Sequence, residues 1–209
     1  MTIKAIRPPN FGWLEKKLSA EEMKHLWTCV DEAELSVKHK LVGNIHESKL
    51  VLDKNGWFWD NTLSELIYLY EDEFGGIGKQ VPTSGRHDYM LQSMWVNYQK
   101  QGEFNPSHDH TGVYSFVIWM KIPTDWKEQN KLLIAANSSD PKLSSFIFYY
   151  TNTQGGTEEF PYRLDPTYEG TMLFFPSTMS HAVYPFLNCE EDRISISGNV
   201  LLDTSRPYQ

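Results

Sequence analysis

The feature that most constrains the fold is a change of pattern near the middle of the chain. From about Tyr89 the sequence consists of short segments rich in β-branched and aromatic residues, with Gly, Pro, Asn or Asp between most of them. These segments are MLQSMWVNYQ, VYSFVIWMKIP, SFIFYYT, TMLFFP, HAVYPF and RISISGNV. Short strands separated by turns favour a sandwich or a barrel. The second half is therefore predicted to be a β core of roughly eight strands.

Helical periodicity dominates before that point. Ser19 followed by Glu22 is a capping-box pattern, and the residues after it carry apolar side chains at helical spacing. Thr62 with Glu65 is a second such pattern, and the apolar face that follows it stops at Gly75. These patterns predict two helices in the N-terminal part.

The two halves together predict one domain over residues 1–209, since this length suits a single packed core. The fold class is mainly β with N-terminal helices. Residues 1–88 are expected to form a mostly helical buttress, and residues 89–203 a double-stranded β-helix, or jelly roll.

Composition narrows the kind of protein. The formal net charge is -8 and no basic stripe stands out, which argues against a nucleic-acid substrate. The two cysteines form no CxxC pair, so we expect no disulfide framework and a reducing cytoplasm. The N-terminal segment lacks the apolar core of a signal peptide, and no apolar run has the length of a membrane span, so no membrane partner is expected.

Three histidines have the spacing of metal ligands. His108 and His110 are two residues apart in NPSHDHTG, and residues at this spacing on a strand point to the same face. His181 lies in FFPSTMSHAVYPF, a later strand-like segment. Two ligands from one strand and one from a distant strand would form a facial triad with an open side. An HxH pair alone is a weak signal, since a neutral histidine is often only a satisfied polar residue.

A polar stripe follows the third histidine. In RISISGN, the alternate residues Arg193, Ser195, Ser197 and Asn199 share one face of the predicted strand. On a solvent-facing strand this would be ordinary amphipathic alternation. If the stripe instead faces the interior, the arginine needs an anionic partner, because an unpaired buried charge is costly. A guanidinium binds a carboxylate through two parallel hydrogen bonds, and Ser195, two residues further on, could add a third.

The ordered motifs resemble a known superfamily. HxH, GGTEEF, EGTMLFFPSTMSHAVYPF and DRISISGN, in this order, are similar to those of the 2-oxoglutarate/Fe(II)-dependent oxygenases. The resemblance is to the prolyl-4-hydroxylase-like branch, and within it to the small oxygenases of marine phages and bacteria. It covers about Met90 to Val200, over half of the chain.

The resemblance implies a double-stranded β-helix and a shared chemistry. Fe(II) would be held by His108, His110 and His181, and 2-oxoglutarate would chelate it through the 1-carboxylate and 2-oxo groups. The far carboxylate of 2-oxoglutarate would pair with Arg193 and Ser195. With O₂ as the second cosubstrate, the enzyme would form succinate and CO₂ and hydroxylate a protein residue such as proline, or a small molecule.

One position departs from the superfamily pattern, which places Asp or Glu two residues after the first histidine. Here that position holds His110. Strand alternation favours His110 as the ligand over Asp109, although a bulge could turn Asp109 inward or the position could be vacant.

Two further residues are candidate cosubstrate ligands through the resemblance. Prolyl-hydroxylase relatives have a 2-oxoglutarate-binding tyrosine at the offset of Tyr98, and phage-type relatives have an asparagine at that of Asn97. Adjacent strand residues face opposite sides, so at most one of them fits.

Other functions remain open at this stage. A cupin-like metal-binding isomerase or a non-catalytic binding protein could use the same β architecture, because a fold does not fix a function. The Arg193–Ser195 pair distinguishes them, since only the oxygenase requires it.

Overall fold

The computed structural model describes Lys4 and residues 10–83 and 85–205. The strands are β1 Leu14–Lys17, β2 Glu47–Val51, β3 Tyr89–Gln99, β4 Asn105–His108, β5 Tyr114–Lys121, β6 Ser145–Thr151, β7 Thr157–Arg163, β8 Thr171–Pro176, β9 His181–Val183 and β10 Arg193–Leu202. The α-helices are α1 Ala20–Asp31, α2 Ser64–Phe74, α3 Trp126–Gln129 and α4 Leu133–Ala136. The 3₁₀ turns are Lys38–Lys40, Lys54–Gly56, Ile77–Gln80 and Pro166–Tyr168, and Trp59–Leu63 forms a π-helical turn.

The strands form two antiparallel sheets. One has six strands in the order β1-β8-β5-β10-β3-β2, and the other has four in the order β4-β9-β6-β7. Eight of the strands lie after residue 88, so the prediction of a mainly β chain with N-terminal helices is confirmed. None of the helices in the described ranges has the length and apolar character that crossing a lipid bilayer requires.

Two apolar cores follow from the alternation of the central strands. On β5, Phe116 and Ile118 face the core that joins the large sheet to α1 and α2. Val117 and Trp119 point the other way, into the core that joins the two sheets. A continuous apolar strand is expected where both faces of a sheet are covered.

The helix starts were predicted with unequal success. Ser19 and Glu22 form the expected capping box, with Glu22 N–H donating to Ser19 Oγ at 3.2 Å. The second predicted cap is wrong, because α2 begins at Ser64 and Thr62 lies within the preceding π-helical turn. The buried Thr62 hydroxyl instead donates to Glu22 Oε1 at 2.7 Å, a contact between distant segments that local sequence does not reveal.

The N-terminal part also contributes two edge strands. β1 pairs with β8 and β2 pairs with β3, so these strands close the two sides of the large sheet. Helical periodicity did not indicate either one, because each is only four or five residues long.

Candidate metal centre

Three imidazoles converge in the described structure. His108 on β4 is the register partner of His181 on β9, so the antiparallel pairing places their rings side by side, with centroids 4.4 Å apart. His110 lies just beyond the end of β4, and its Nε2 is 3.3 Å from Nε2 of His108. One ring nitrogen from each histidine lies within 4.8 Å of the other two. This group could hold a metal ion.

Each of the three rings is held through its Nδ1 atom. Every Nδ1 lies at hydrogen-bond distance from an oxygen that can only accept, so each Nδ1 carries the proton and each Nε2 keeps its lone pair. The acceptors are the carbonyl oxygen of Pro106 for His108 at 2.8 Å, that of Met179 for His181 at 3.0 Å, and Oδ1 of Asn199 for His110 at 2.8 Å. Metal-binding histidines are typically oriented in this way.

The electrostatics of the cluster favour the neutral form of His110 and His181. Burial, and then the neighbouring His108 and His110, lower the pKa of His181 to about 3. Burial also lowers the pKa of His110, against the opposing effect of its hydrogen bond with Asn199. The Nε2 lone pairs of His108 and His110, 3.3 Å apart, repel each other, and a cation between the rings would relieve that repulsion. The donor set therefore fits a metal ion.

Of the two contested ligands, the structure brings His110 to the cluster. Asp109 is exposed, although it lines the adjoining cavity. The backbone N–H of His110 donates to the carbonyl of Ser177 at 2.8 Å, which fixes this residue beside the end of β4. Gly112 then turns the chain with a φ of 123°, where a side chain would meet the carbonyl oxygen of Val200.

Further contacts hold His110 in place. Asn199 Oδ1, which accepts from His110, also accepts from the buried hydroxyl of Ser115 at 2.9 Å. The ring of Trp95 stacks on that of His110, with centroids 5.8 Å apart and an interplanar angle of 26°. Sequence analysis did not assign this role to Asn199, although it lies on the polar face of β10.

The histidines and the polar stripe of β10 line one cavity of about 260 Å³. The stripe consists of Arg193, Ser195, Ser197 and Asn199. The intervening isoleucines pack on the other side, against the core beneath the helices. The stripe therefore faces the interior, which leaves Arg193 in need of an anionic partner.

Arg193 is only 2% exposed. Its Nε and Nη2 donate to Oε1 of Gln99 at 3.0 and 2.8 Å, and Nη2 also donates to the carbonyl of Tyr184 at 2.7 Å. Nη1 is buried and has no hydrogen-bond partner among the described residues. Burial lowers the pKa of Arg193 to about 9, still well above neutrality. A charged guanidinium with an unpaired buried nitrogen fits the carboxylate of a ligand.

The other predicted cosubstrate ligands, Ser195, Asn97 and Tyr98, do not all face the cavity. Ser195 lines the cavity and is the register partner of Asn97, which also lines it and accepts a hydrogen bond from Ser48 at 2.7 Å. Tyr98 points to the opposite face, packs against the core beneath the helices, and lies under the ammonium group of Lys49. The assignment of Tyr98 to the cosubstrate site is corrected accordingly, because neighbouring strand residues alternate.

Parts of the cavity wall were not among the residues predicted from the sequence. Trp95 and Gln99 line it with Asn97, at alternate positions of β3. The same alternation that placed the β10 stripe would have indicated them. The wall also includes residues 41–43 and 45, from a segment with no strand or helix pattern that predicts its position.

The chain resembles known proteins both in sequence and in fold. A family model described as "Putative 2OG-Fe(II) oxygenase" matches residues 93–199, just over half of the chain. The matched segment contains the three histidines and Arg193. No curated protein matches the chain.

Several solved structures share the fold. A prolyl-4-hydroxylase from Pseudomonas putida is 14% identical, with 95% of this chain and 94% of that chain covered and a TM-score of 0.51. A 2OG-Fe(II) oxygenase family oxidoreductase from Burkholderia pseudomallei is 13% identical, with coverage of 88% and 80% and a TM-score of 0.54. The viral collagen prolyl hydroxylase of Paramecium Bursaria Chlorella virus-1, in complex with 2OG, is 12% identical, with coverage of 90% and 94% and a TM-score of 0.50.

The sequence match and the shared fold define the class of protein, a non-haem iron oxidoreductase. The chain belongs to the 2OG-Fe(II) oxygenase family. Its cofactors are Fe(II) and 2-oxoglutarate, and its cosubstrates are O₂ and 2-oxoglutarate. The resemblance seen in the sequence motifs is thereby confirmed.

Proposed function

We propose that the protein is a hydroxylase that couples conversion of 2-oxoglutarate to succinate and CO₂ with oxidation of an organic substrate. The substrate is a residue of a protein, such as proline, or a small molecule. The observation that carries the proposal is the shared cavity, which joins three converging imidazoles to one buried guanidinium without a carboxylate partner among the described residues.

In this proposal His108, His110 and His181 hold Fe(II) through Nε2. Bound Fe(II) supplies the activation of O₂, which protein side chains do not perform. The hydrogen bonds at Nδ1 turn Nε2 of each ring towards the cluster, where it can ligate. Because no carboxylate among the described residues joins the three histidines, the ligands would leave the positive charge of Fe(II) uncompensated. We expect weaker metal retention than in a site with a carboxylate, and stronger attraction of an anionic cosubstrate.

Arg193 binds the far carboxylate of 2-oxoglutarate in this proposal. Ser195 is proposed to support it, since Ser195 lines the cavity two residues along the same strand. Asn97 is the third candidate, because its oxygen is occupied by Ser48 and its amide nitrogen remains available to donate. A cupin-like isomerase would give the buried arginine no comparable role.

We further propose that the two sheets form a double-stranded β-helix over residues 89–203, with residues 1–88 as its buttress in one domain. The pairing of β4 with β9 and of β5 with β10 and β8 supports this, since it brings the site residues to one cavity.

The proposed function is tested by measuring succinate formation with Fe(II), 2-oxoglutarate and O₂. We expect slow succinate formation without added substrate, because 2-oxoglutarate turnover can run uncoupled. His181→Ala should abolish it by removing a ligand, whereas His39→Ala, a change at an exposed histidine, should leave it unchanged. A wild-type protein that neither binds nor turns over 2-oxoglutarate would overturn the proposal.

A further inference from the structure

We infer that Gln99 is a positioning residue that holds Arg193 with a neutral oxygen and so reserves the guanidinium charge for a ligand carboxylate. The inference rests on the proposed function of the cavity. It adds a residue that sets the preference for a dicarboxylate over a monocarboxylate.

The contact is specific in its geometry. Gln99 is 4% exposed and is the register partner of Arg193 across β3 and β10. A single oxygen, Gln99 Oε1, accepts from both Nε and Nη2 of the guanidinium, at 3.0 and 2.8 Å. Two donors on one acceptor, with the carbonyl of Tyr184 at 2.7 Å from Nη2, fix the guanidinium plane and leave Nη1 without a partner among the described residues.

The opposite end of Gln99 fixes which way its amide points. Nε2 donates to the backbone oxygen of Glu103 at 2.6 Å. An arginine only donates and a carbonyl only accepts, so a flipped amide would lose both sets of hydrogen bonds. The oxygen therefore faces the guanidinium.

The important property of Gln99 as a partner of Arg193 is that it carries no charge. A buried arginine is ordinarily compensated by a carboxylate, because an unpaired buried charge is costly. Glutamate would fit the volume of Gln99 and would neutralise Arg193 within the protein. Glutamine orients the guanidinium but adds no negative charge. Burial therefore lowers the pKa of Arg193 with no opposing carboxylate in the described structure. The compensating charge then comes from the ligand.

The test compares Gln99→Glu with Gln92→Glu, which makes the same change at an exposed position of the same strand. The full chain is loaded with Mn(II) under nitrogen, and binding of 2-oxoglutarate and of 2-oxopentanoate is measured by calorimetry. 2-Oxopentanoate keeps the chelating 2-oxo acid and has a methyl group in place of the far carboxylate.

Gln99→Glu should weaken 2-oxoglutarate binding by about tenfold or more, because the new carboxylate competes for Arg193. Binding of 2-oxopentanoate and of Mn(II) should change by less than about twofold, since neither depends on the guanidinium. Gln92→Glu should leave all three unchanged. The ligand-free Gln99→Glu protein should stay folded, because the new ion pair with Arg193 offsets the lost hydrogen bond to the carbonyl oxygen of Glu103.

A second variant, Gln99→Ala, removes the oxygen without adding charge. It should weaken 2-oxoglutarate binding several-fold, because the guanidinium keeps its charge but is no longer held in one orientation. Binding of 2-oxopentanoate should stay unchanged, since that ligand has no far carboxylate. Wild-type 2-oxoglutarate affinity in Gln99→Glu would overturn the inference, as would an equal loss of both oxo acids and Mn(II).

Arg193→Met separates this inference from the proposed function. Selective loss of 2-oxoglutarate in Arg193→Met but not in Gln99→Glu would refute the role of Gln99 and leave the function standing. A wild-type protein that binds neither oxo acid would refute the function itself.

Discussion

At the scale of single residues, the three histidines are oriented by the hydrogen bonds that their Nδ1 atoms make. Two of the acceptors are backbone carbonyls, and the third is the side-chain oxygen of Asn199, 2.8 Å from Nδ1 of His110. A side chain can be replaced without altering the strand, so Asn199 offers a direct test of this arrangement.

Asn199→Ala should lower metal affinity by roughly 10- to 100-fold, the usual effect of losing a partner that orients a ligating histidine. Asn199→Asp keeps an oxygen that accepts from His110 and should restore most of the affinity. Competition with a coloured chelator measures both. Equal affinity in Asn199→Ala and wild type would show that His110 needs no such support.

Residue-scale prediction from sequence was most specific where two independent signals agreed. His108, His181 and Arg193 combine strand phase with motif order, and the structure places all three at one cavity. Gln99 was missed because its role depends on the register between β3 and β10, which a single sequence does not encode. Tyr98 was assigned through sequence offset alone, and strand alternation turns it away from the cavity.

At the scale of elements, Glu22 ties α1 to its neighbours. Its carboxylate accepts from the Ser19 backbone N–H at 2.7 Å and from the Thr62 hydroxyl at 2.7 Å, and pairs with Lys16 at 2.9 Å. Burial alone would raise the pKa of Glu22, but the hydrogen bonds from Lys16, Ser19 and Thr62 outweigh it and lower the pKa to about 2. These contacts join α1 to β1 and to the π-helical turn before α2.

Glu22→Gln should therefore destabilise the protein by on the order of 2 kcal/mol at pH 7. A folded-state pKa below the unfolded value contributes stability that is present above the unfolded pKa and is lost as the pH falls towards the folded one. The difference from wild type should thus shrink between about pH 4.5 and pH 2. Urea denaturation at pH 7 and pH 3 measures it, with the exposed Glu21→Gln as the control. A difference that does not depend on pH would contradict this explanation.

Helices and strands with a clear periodicity of apolar residues were predictable from the sequence, and those defined by long-range contacts were not. The first helix follows from its capping box and apolar spacing, and the second stops at Gly75, where φ is 85°. Its start was misplaced because Thr62 bonds to a residue forty positions away in sequence. The edge strands β1 and β2 are too short to show a period, and pairing with β8 and β3 defines them.

At the scale of the whole molecule, the site is assembled from both sheets. The large sheet supplies the β3 and β10 faces, and the small sheet supplies His108 and His181. Composition and turn spacing predict a β fold with helices, but strand order and register arise from packing. This explains why the sequence could indicate the three histidines as candidate ligands but not the hydrogen bonds that orient them.

The central claim is that this cavity binds Fe(II) and 2-oxoglutarate together. The most direct measurement is an anaerobic titration of the protein with both, followed by visible absorption. We predict a weak charge-transfer band that requires both additions, is absent in His181→Ala and is retained in His39→Ala. No band at saturating Fe(II) and 2-oxoglutarate, or an unchanged band in His181→Ala, would contradict the account.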